Sequence, residues 1–334
     1  MASAREIAAL LRLDYIEDTN PAPPRAPSAM FQFPHAFRRP GPLGVACLAG
    51  LLAASVLPTT LAAQRERVTV RMESFGGTPV TVPAGTTARE EFTQQALQIT
   101  LSQRLVRQQG NTIVLVGGQW RAVRAALPRA PLTNRPGAVG DAFTSLQVAT
   151  AELMLLRSVG DRHTLVSLLR PGLYGDAFRV EGAAFVDRIV SPRTTIGAGL
   201  SYASSFGRLL PIPVVHVLSR PSRRLLVDAL LPARGDLWWM PRKGLDVGLN
   251  ASLVGAQYGL SETQRIAGSD ALWLANATVG PQLRWAPRGG KWQLTGDAGM
   301  TVLRRLEYVR DGRRVADLAP GNVPYVRLGA QRLF

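Results

Sequence analysis

From residue 64 onward, apolar and polar side chains alternate with a period of two, in segments of about ten residues or more, the pattern of half-buried β-strands. In 245–253, Leu245, Val247, Leu249, Ala251 and Leu253 share one face, and Asp246, Gly248, Asn250 and Ser252 share the other. In 273–285, Trp273, Ala275, Ala277, Val279, Pro281, Leu283 and Trp285 stand against Leu274, Asn276, Thr278, Gly280, Gln282 and Arg284. In 292–302, Trp292, Leu294, Gly296, Ala298, Met300 and Val302 stand against Gln293, Thr295, Asp297, Gly299 and Thr301. The second face is small or polar almost throughout. The pattern predicts strands over 66–75, 92–106, 111–125, 142–158, 162–170, 179–190, 194–204, 212–219, 223–230, 234–240, 244–258, 271–285, 291–304 and 322–334. That is fourteen strands, or twelve if the less regular 66–75 and 234–240 drop out.

The joins between these strands sort by length. Joins 107–110, 159–161, 191–193, 220–222, 241–243 and 286–290 are short and hold or border turn residues such as Gly110-Asn111, Gly160-Asp161, Pro192 and Gly289-Gly290. Joins 76–91, 126–141, 171–178, 205–211, 259–270 and 305–321 are longer, with the tight 231–233 as the exception. Alternate short turns and long loops are the habit of bacterial outer-membrane barrels, whereas a soluble sandwich has no reason to sort its loops by parity. The expected fold is therefore all-β, a transmembrane antiparallel β-barrel of twelve to fourteen strands.

Strand length fits a bilayer. Trp273 and Trp285 are twelve residues apart on one face, roughly 40 Å of strand and roughly 28 Å of height at a 45° tilt. With Trp292 across the short turn from Trp285, they are candidates for an interfacial aromatic girdle. The competing reading is a pair of core tryptophans in a sandwich. Pro281 lacks a ladder donor and calls for a bulge.

At the C-terminus, Val326, Leu328, Ala330 and Phe334 alternate with Tyr325, Arg327, Gly329 and Gln331. Arg327, Gly329 and Phe334 resemble the terminal strand by which outer-membrane barrels are recognised by their assembly machinery; Arg332 departs from that pattern. Over about 194–334 the chain also resembles a family of predicted outer-membrane β-barrel proteins of unknown function, through Leu210-Pro211-Ile212-Pro213-Val214, Arg220-Pro221-Ser222 and Leu230-Leu231-Pro232. The resemblance implies a barrel and a membrane, and no activity.

Residues 42–63, PLGVACLAGLLAASVLPTTLAA, follow Arg38-Arg39 and end in small residues before Gln64. This predicts a signal peptide over 30–63 with cleavage between Ala63 and Gln64, the alternative being an uncleaved anchor. Residues 1–29 carry four acids and a Pro-rich stretch that fit neither scheme. They read as a disordered or mis-annotated extension, with Met30 the start, leaving 64–334 as the barrel. Cys47 is the only cysteine and sits inside the apolar run, without a lipoprotein box around it.

Charge adds one question. The chain carries +16, and the leader holds five arginines and four acids, so the remainder carries 16 − 1 = +15. The arginines look scattered along the sequence. They reflect either codon preference or a lumen or rim that attracts anions, such as lipid phosphates. Export and scatter argue against nucleic acid as a partner.

Chemistry is sparse. No Walker A, HExxH, CxxC or GxSxG pattern occurs after residue 64, and neither a cofactor nor a metal is expected. His163 follows a short turn, and His216 is mid-strand with Ser201 as a spatial candidate neighbour; a lumen histidine bonded to a polar group is the plainer account. The wet rows offer Asp246, Arg284, Asp297 and Arg327, with Arg71 and Arg104, as lumen candidates that polarise a pore or pair up and fill it. The expectation is an outer-membrane barrel in contact with outer-membrane lipids: a passive channel for small polar or anionic solutes, alternatively a structural or adhesive barrel without transport, or a lipid-modifying enzyme.

Overall fold

The computed structural model describes residues 67–80, 90–126, 143–204, 210–265, 268–287, 291–318 and 320–333. The leader, its cleavage site at Ala63 and Gln64, Cys47 and the terminal Phe334 lie outside the described residues.

Fifteen strands run in chain order: β1 (Arg67–Val80), β2 (Glu90–Gln109), β3 (Thr112–Ala126), β4 (Phe143–Val159), β5 (His163–Tyr174), β6 (Ala177–Ser191), β7 (Thr194–Ala203), β8 (Leu210–Ser222), β9 (Leu225–Leu231), β10 (Arg234–Arg242), β11 (Leu245–Gly259), β12 (Ala271–Trp285), β13 (Trp292–Arg310), β14 (Arg313–Leu318) and β15 (Pro324–Leu333). Neighbours in sequence pair antiparallel from β1 to β13, β13 pairs with β15, and β15 pairs with β1. The ring is therefore a closed antiparallel barrel of fourteen strands, with β14 attached to β13 alone. Closure leaves every strand of the ring with two partners and removes the free edges of an open sheet.

All fourteen expected segments are strands, and the two weakest-patterned ones, β1 and β10, are among them. Three local expectations are corrected. The join 305–321 is not a long loop: β13 continues to Arg310, turns at Asp311-Gly312 and returns as β14. Both turn residues have positive φ, 49° and 71°, the geometry of a tight hairpin turn whose twist matches its strands. The join 171–178 shrinks to Gly175-Asp176 between β5 and β6. No bulge forms at Pro281. The register runs unshifted from Val279↔Met300 to Gln282↔Asp297, and the β12–β13 bulge lies instead between Ala277 and Thr278. Proline is tolerated there because the ladder omits two pairing steps, at Gly280 and Pro281, and keeps its register.

The alternation fixes which way each side chain points. Exposed large apolar side chains occupy the outward positions: Val70 and Met72 on β1, Val186 and Val190 on β6, Val247 and Leu249 on β11, Leu294 and Met300 on β13, Val326 and Leu328 on β15. The inward rows are apolar toward the longer joins; toward the short turns they hold charged and amide side chains beside a smaller apolar cluster of Leu115, Leu156 and Val166. At the long-join end one contiguous cluster crosses the interior. Phe92, Val123, Leu146, Val148 and Tyr174 from β2–β5 meet Tyr258, Leu272, Leu274, Leu306, Tyr308 and Leu318 from β11–β14.

The wall folds inward to make that contact. β9 and β10 are short, so β8 above Val215 and β11 above Leu253 lack them as neighbours. The β5–β6 turn takes their place against β11: Asp176 N donates to Gly259 O at 3.3 Å, and Gly175 bridges Gly259. Gly175 has φ +60°, and a side chain there would run into the Gly259 carbonyl, so only glycine permits this approach. The end of β7 joins in, with Gln257 N donating to Ser204 Oγ at 3.4 Å.

The bare stretch of β8 is guarded by its own sequence. Arg220 N donates to Arg193 O, the residue before β7, and the β7–β8 register is unbroken from Thr194↔Ser219 to Ala203↔Leu210. Antiparallel strands bond alternately left and right, so even-numbered residues of β8 address β7 and odd-numbered ones the β9 side. Pro211 and Pro213, beyond the last β8–β9 pair at Val215↔Leu231, therefore present no N–H on the unpaired edge.

Candidate functional site

The interior between the short turns and the apolar cluster is the candidate site. Its charged residues come from adjacent inward rows, so register alone brings them together. Glu73 of β1 pairs with Arg327 of β15, which pairs with Asp297 of β13. Arg327 Nη1 donates to Asp297 Oδ2 at 2.9 Å, and Arg327 Nε lies 3.0 Å from Glu73 Oε1. On the other side Glu73 faces Ala96 of β2, small enough for Arg121 of β3 to reach over it. Arg121 Nη2 donates to Glu73 Oε2 at 2.8 Å. Arg327, Arg121 and Glu73 are all buried. Taking them out of water is costly, and each is held by the pairing of its neighbours.

A second cluster lies beside the first along the wall, on β10–β12, where Gln282 of β12 pairs with Asp297 of β13. Asp246 and Arg284 are register partners on β11 and β12, with Arg284 Nε donating to Asp246 Oδ2 at 2.6 Å. The Arg284 guanidinium also lies 4.5 Å from the Trp238 ring centroid, a cation–π contact. Beside it Asp236 accepts from Asn250 Nδ2 and Gln282 Nε2, both at 2.9 Å. All four lumen candidates, Asp246, Arg284, Asp297 and Arg327, thus face the interior, where they pair rather than stand as isolated charges. The side chain of Arg104 lies outside the described residues; β2 shifts register twice around it.

His216 of β8 has its Nδ1 2.8 and 3.0 Å from the two Asp187 oxygens. The carboxylate comes from β6, across Gly197 of β7, and a Cβ on Gly197 would collide with it. Gly199 likewise leaves room for Phe185, whose ring centroid is 5.4 Å from that of His216. These two glycines are the sequence signal that composition and motif missed: alternate inward glycines on one strand mark where neighbours lean across it. Ser201 lies four residues up β7 from Gly197 and donates instead to Gly182 O at 3.4 Å, so it is not a partner of His216. His163 is exposed at the start of β5.

The tryptophans divide. Trp285 and Trp292 are outward and half exposed near the short turns, with the Arg332 guanidinium 5.5 Å from the Trp292 ring. Trp239, also outward and half exposed, joins them and was not among the expected girdle residues. Trp273 shares the outward register but is only 7% exposed, with Arg305 over it at 5.9 Å. It does not present its ring as an interfacial residue does. Of the C-terminal residues, Arg327 is the inward ion-pair centre described above, and Gly329 pairs with Arg71 and Thr295.

The arginines, scattered in sequence, gather in space. Exposed cations crowd the short-turn end: Arg157, Arg162, Arg188, Arg193, Arg223, Arg224, Arg242, Lys243, Lys291 and Arg332. Asp161 is the exposed acid among the described residues of those turns. The long-join end is mixed, with Arg265, Arg310, Arg313 and Arg314 beside Asp176, Glu262, Asp270, Asp311 and Asp317.

No family model and no curated protein matches the chain. Among solved structures it is similar to an outer-membrane channel from Pseudomonas putida F1, at 11% identity and a TM-score of 0.41, covering 84% of this chain and 100% of that one. It is also similar to the Pseudomonas putida toluene transporter TodX, at 8% identity and a TM-score of 0.33, covering 86% and 93%. A third is the translocator domain of the autotransporter NalP from Neisseria meningitidis, at 14% identity and a TM-score of 0.35, covering 87% and 96%.

Proposed function

We propose that this protein is a bacterial outer-membrane channel for small polar or anionic solutes, with its short turns in the periplasm. The observation that carries the reading is the two-sidedness of the closed wall. Exposed Val, Leu, Ile and Met form the outside, while arginines, carboxylates and amides line the inside. A soluble barrel has the reverse requirement, and an apolar exterior on this scale needs a partner phase. Fourteen strands also exceed the eight that side chains alone can fill, so there is width for a solute. Trp239, Trp285 and Trp292 sit where one lipid–water interface would fall. The same reading makes outer-membrane lipids the surroundings of the barrel and the barrel assembly machinery its route of insertion.

The channel is not a free pore. The apolar cluster at the long-join end crosses the interior, so transit requires that seal to yield. That same seal favours the second reading, a structural barrel that passes nothing. The two readings separate in one series. A chain begun at Met30 is expressed, its outer-membrane fraction is run on a gel with and without boiling, and the purified barrel is placed in a planar bilayer. A heat-dependent mobility shift with discrete conductance steps is expected. A shift without conductance supports the structural barrel. A soluble periplasmic protein with no shift overturns both.

A further inference from the structure

Where the polar lumen meets the apolar seal stands Arg304, an inward residue of β13 beyond its bulge. It is 3% exposed. The other well-buried arginines of the barrel have carboxylates: Arg121 has Glu73, and Arg327 has Glu73 and Asp297. Arg304 has none. Its Nε donates to the neutral Asn276 Oδ1 at 3.3 Å, and its Nη1 and Nη2 have no hydrogen-bond partner among the described residues. Burying a guanidinium without an anion is among the more costly arrangements a protein interior can hold.

The surroundings are built around that side chain. Asn276 is fixed from behind, its Nδ2 donating to Gln94 Oε1 at 3.0 Å, so that its oxygen points at Arg304. The guanidinium lies 4.8 Å from the Phe92 ring centroid and 5.8 Å from that of Phe75. Phe75 in turn packs on Tyr325 at 6.0 Å. Rings and amide hold the guanidinium while its two terminal nitrogens stay uncommitted. A planar fork with two idle nitrogens matches one carboxylate, bidentate and in plane.

We propose that Arg304, positioned by Asn276 and flanked by Phe75 and Phe92, is a binding site for a small carboxylate that carries an apolar or aromatic body. One cation meets one negative charge. The adjoining Leu306 and Leu274, both in the seal, suit a hydrocarbon body rather than a hydrated inorganic anion. The inference deepens the channel reading, on which it rests for its purpose, by naming what meets the constriction.

Equilibrium dialysis of the full barrel in detergent micelles tests it, with benzoate as the probe and benzamide as its uncharged counterpart. Wild type is expected to retain benzoate and to favour it at least tenfold over benzamide. Arg304→Gln should lose that preference, Arg304→Lys should keep part of it, and Arg314→Gln on exposed β14 should leave it unchanged. Each variant is first checked for its heat-dependent gel shift. If Arg304→Gln does not fold, the benzamide comparison and Arg304→Lys decide. Equal retention of benzoate and benzamide, equal binding by Arg304→Gln and wild type, or no retention of benzoate by wild type overturns the site. Binding and flux separate cleanly: retention of benzoate without conductance leaves the site standing and sinks the channel, and conductance without retention does the reverse.

Discussion

The two ends of the barrel solve the problem of a wide interior in opposite ways. At the short-turn end fourteen strands stand apart and the space is held by ion pairs and amides beside a small apolar cluster, with cations crowding the rim outside. At the long-join end β9 and β10 stop short, β5 and β7 lean onto β11, and leucines and aromatics close the centre. The lesson is that strand number sets the width of a barrel only where every strand is present. Shortening one hairpin lets the same wall be wide and polar at one height, and narrow and dry at another.

The sharpest way to break this comparison is through Glu73, which pairs with Arg121 and shares Arg327 with Asp297. Glu73→Gln should cost about 3–5 kcal/mol in urea unfolding from lipid vesicles, because it strands buried charge. A cost near zero would mean the polar half is freely hydrated. The matching test of the dry end is Leu306→Ala. Fully buried in the seal, it should cost about 2–5 kcal/mol by lost transfer energy and cavity. In a bilayer it should also raise the frequency of conductance steps, whereas a purely structural barrel would lose stability and stay silent.

Gly197→Val is expected to cost about 1–3 kcal/mol by overpacking, since its side chain would occupy the place of the Asp187 carboxylate. In an Asp187→Ala background the same change should cost distinctly less, and equal costs would remove the carboxylate crossing as its cause. The smallest effect on stability belongs to the basic rim. Arg193→Glu together with Arg224→Glu should change unfolding by no more than about 0.5 kcal/mol, as exposed charges do. The same pair should shift the reversal potential toward cation preference, most visibly at low salt. A reversal potential unmoved at low salt would mean the rim does not steer ions.

The wall was almost wholly legible in the sequence and the seal was not. Period-two alternation names a strand and its faces wherever one side is apolar, which is why β11, β12 and the lower part of β13 could be read residue by residue. It fails where both faces are covered. Residues 271–276 are buried on both sides, so Trp273 looked like a girdle residue and Leu274 like an exception in a wet row. The loop-length parity overstated two joins, because 171–178 and 305–321 carry the proline, glycine and aspartate of loops yet pair largely as strand. The lumen residues Asp246, Arg284, Asp297 and Arg327 could be placed on the inward face from alternation, but their partners could not, since pairing depends on cross-strand register. Arg304 was invisible for a plainer reason. The bulge between Ala277 and Thr278 shifts the register of β13, so counting by twos along β13 assigns it to the wrong face.

The Pro211 and Pro213 edge of β8 has a consequence for the chain before it is a barrel. A newly made copy is surrounded by others with the same strands, and any unpaired edge invites a neighbour's strand to zip on. Backbone without donors cannot be copied in this way. The stretch where the finished wall leaves β8 uncovered is thus also one where a second molecule's strand finds no donors to pair with at Pro211 and Pro213.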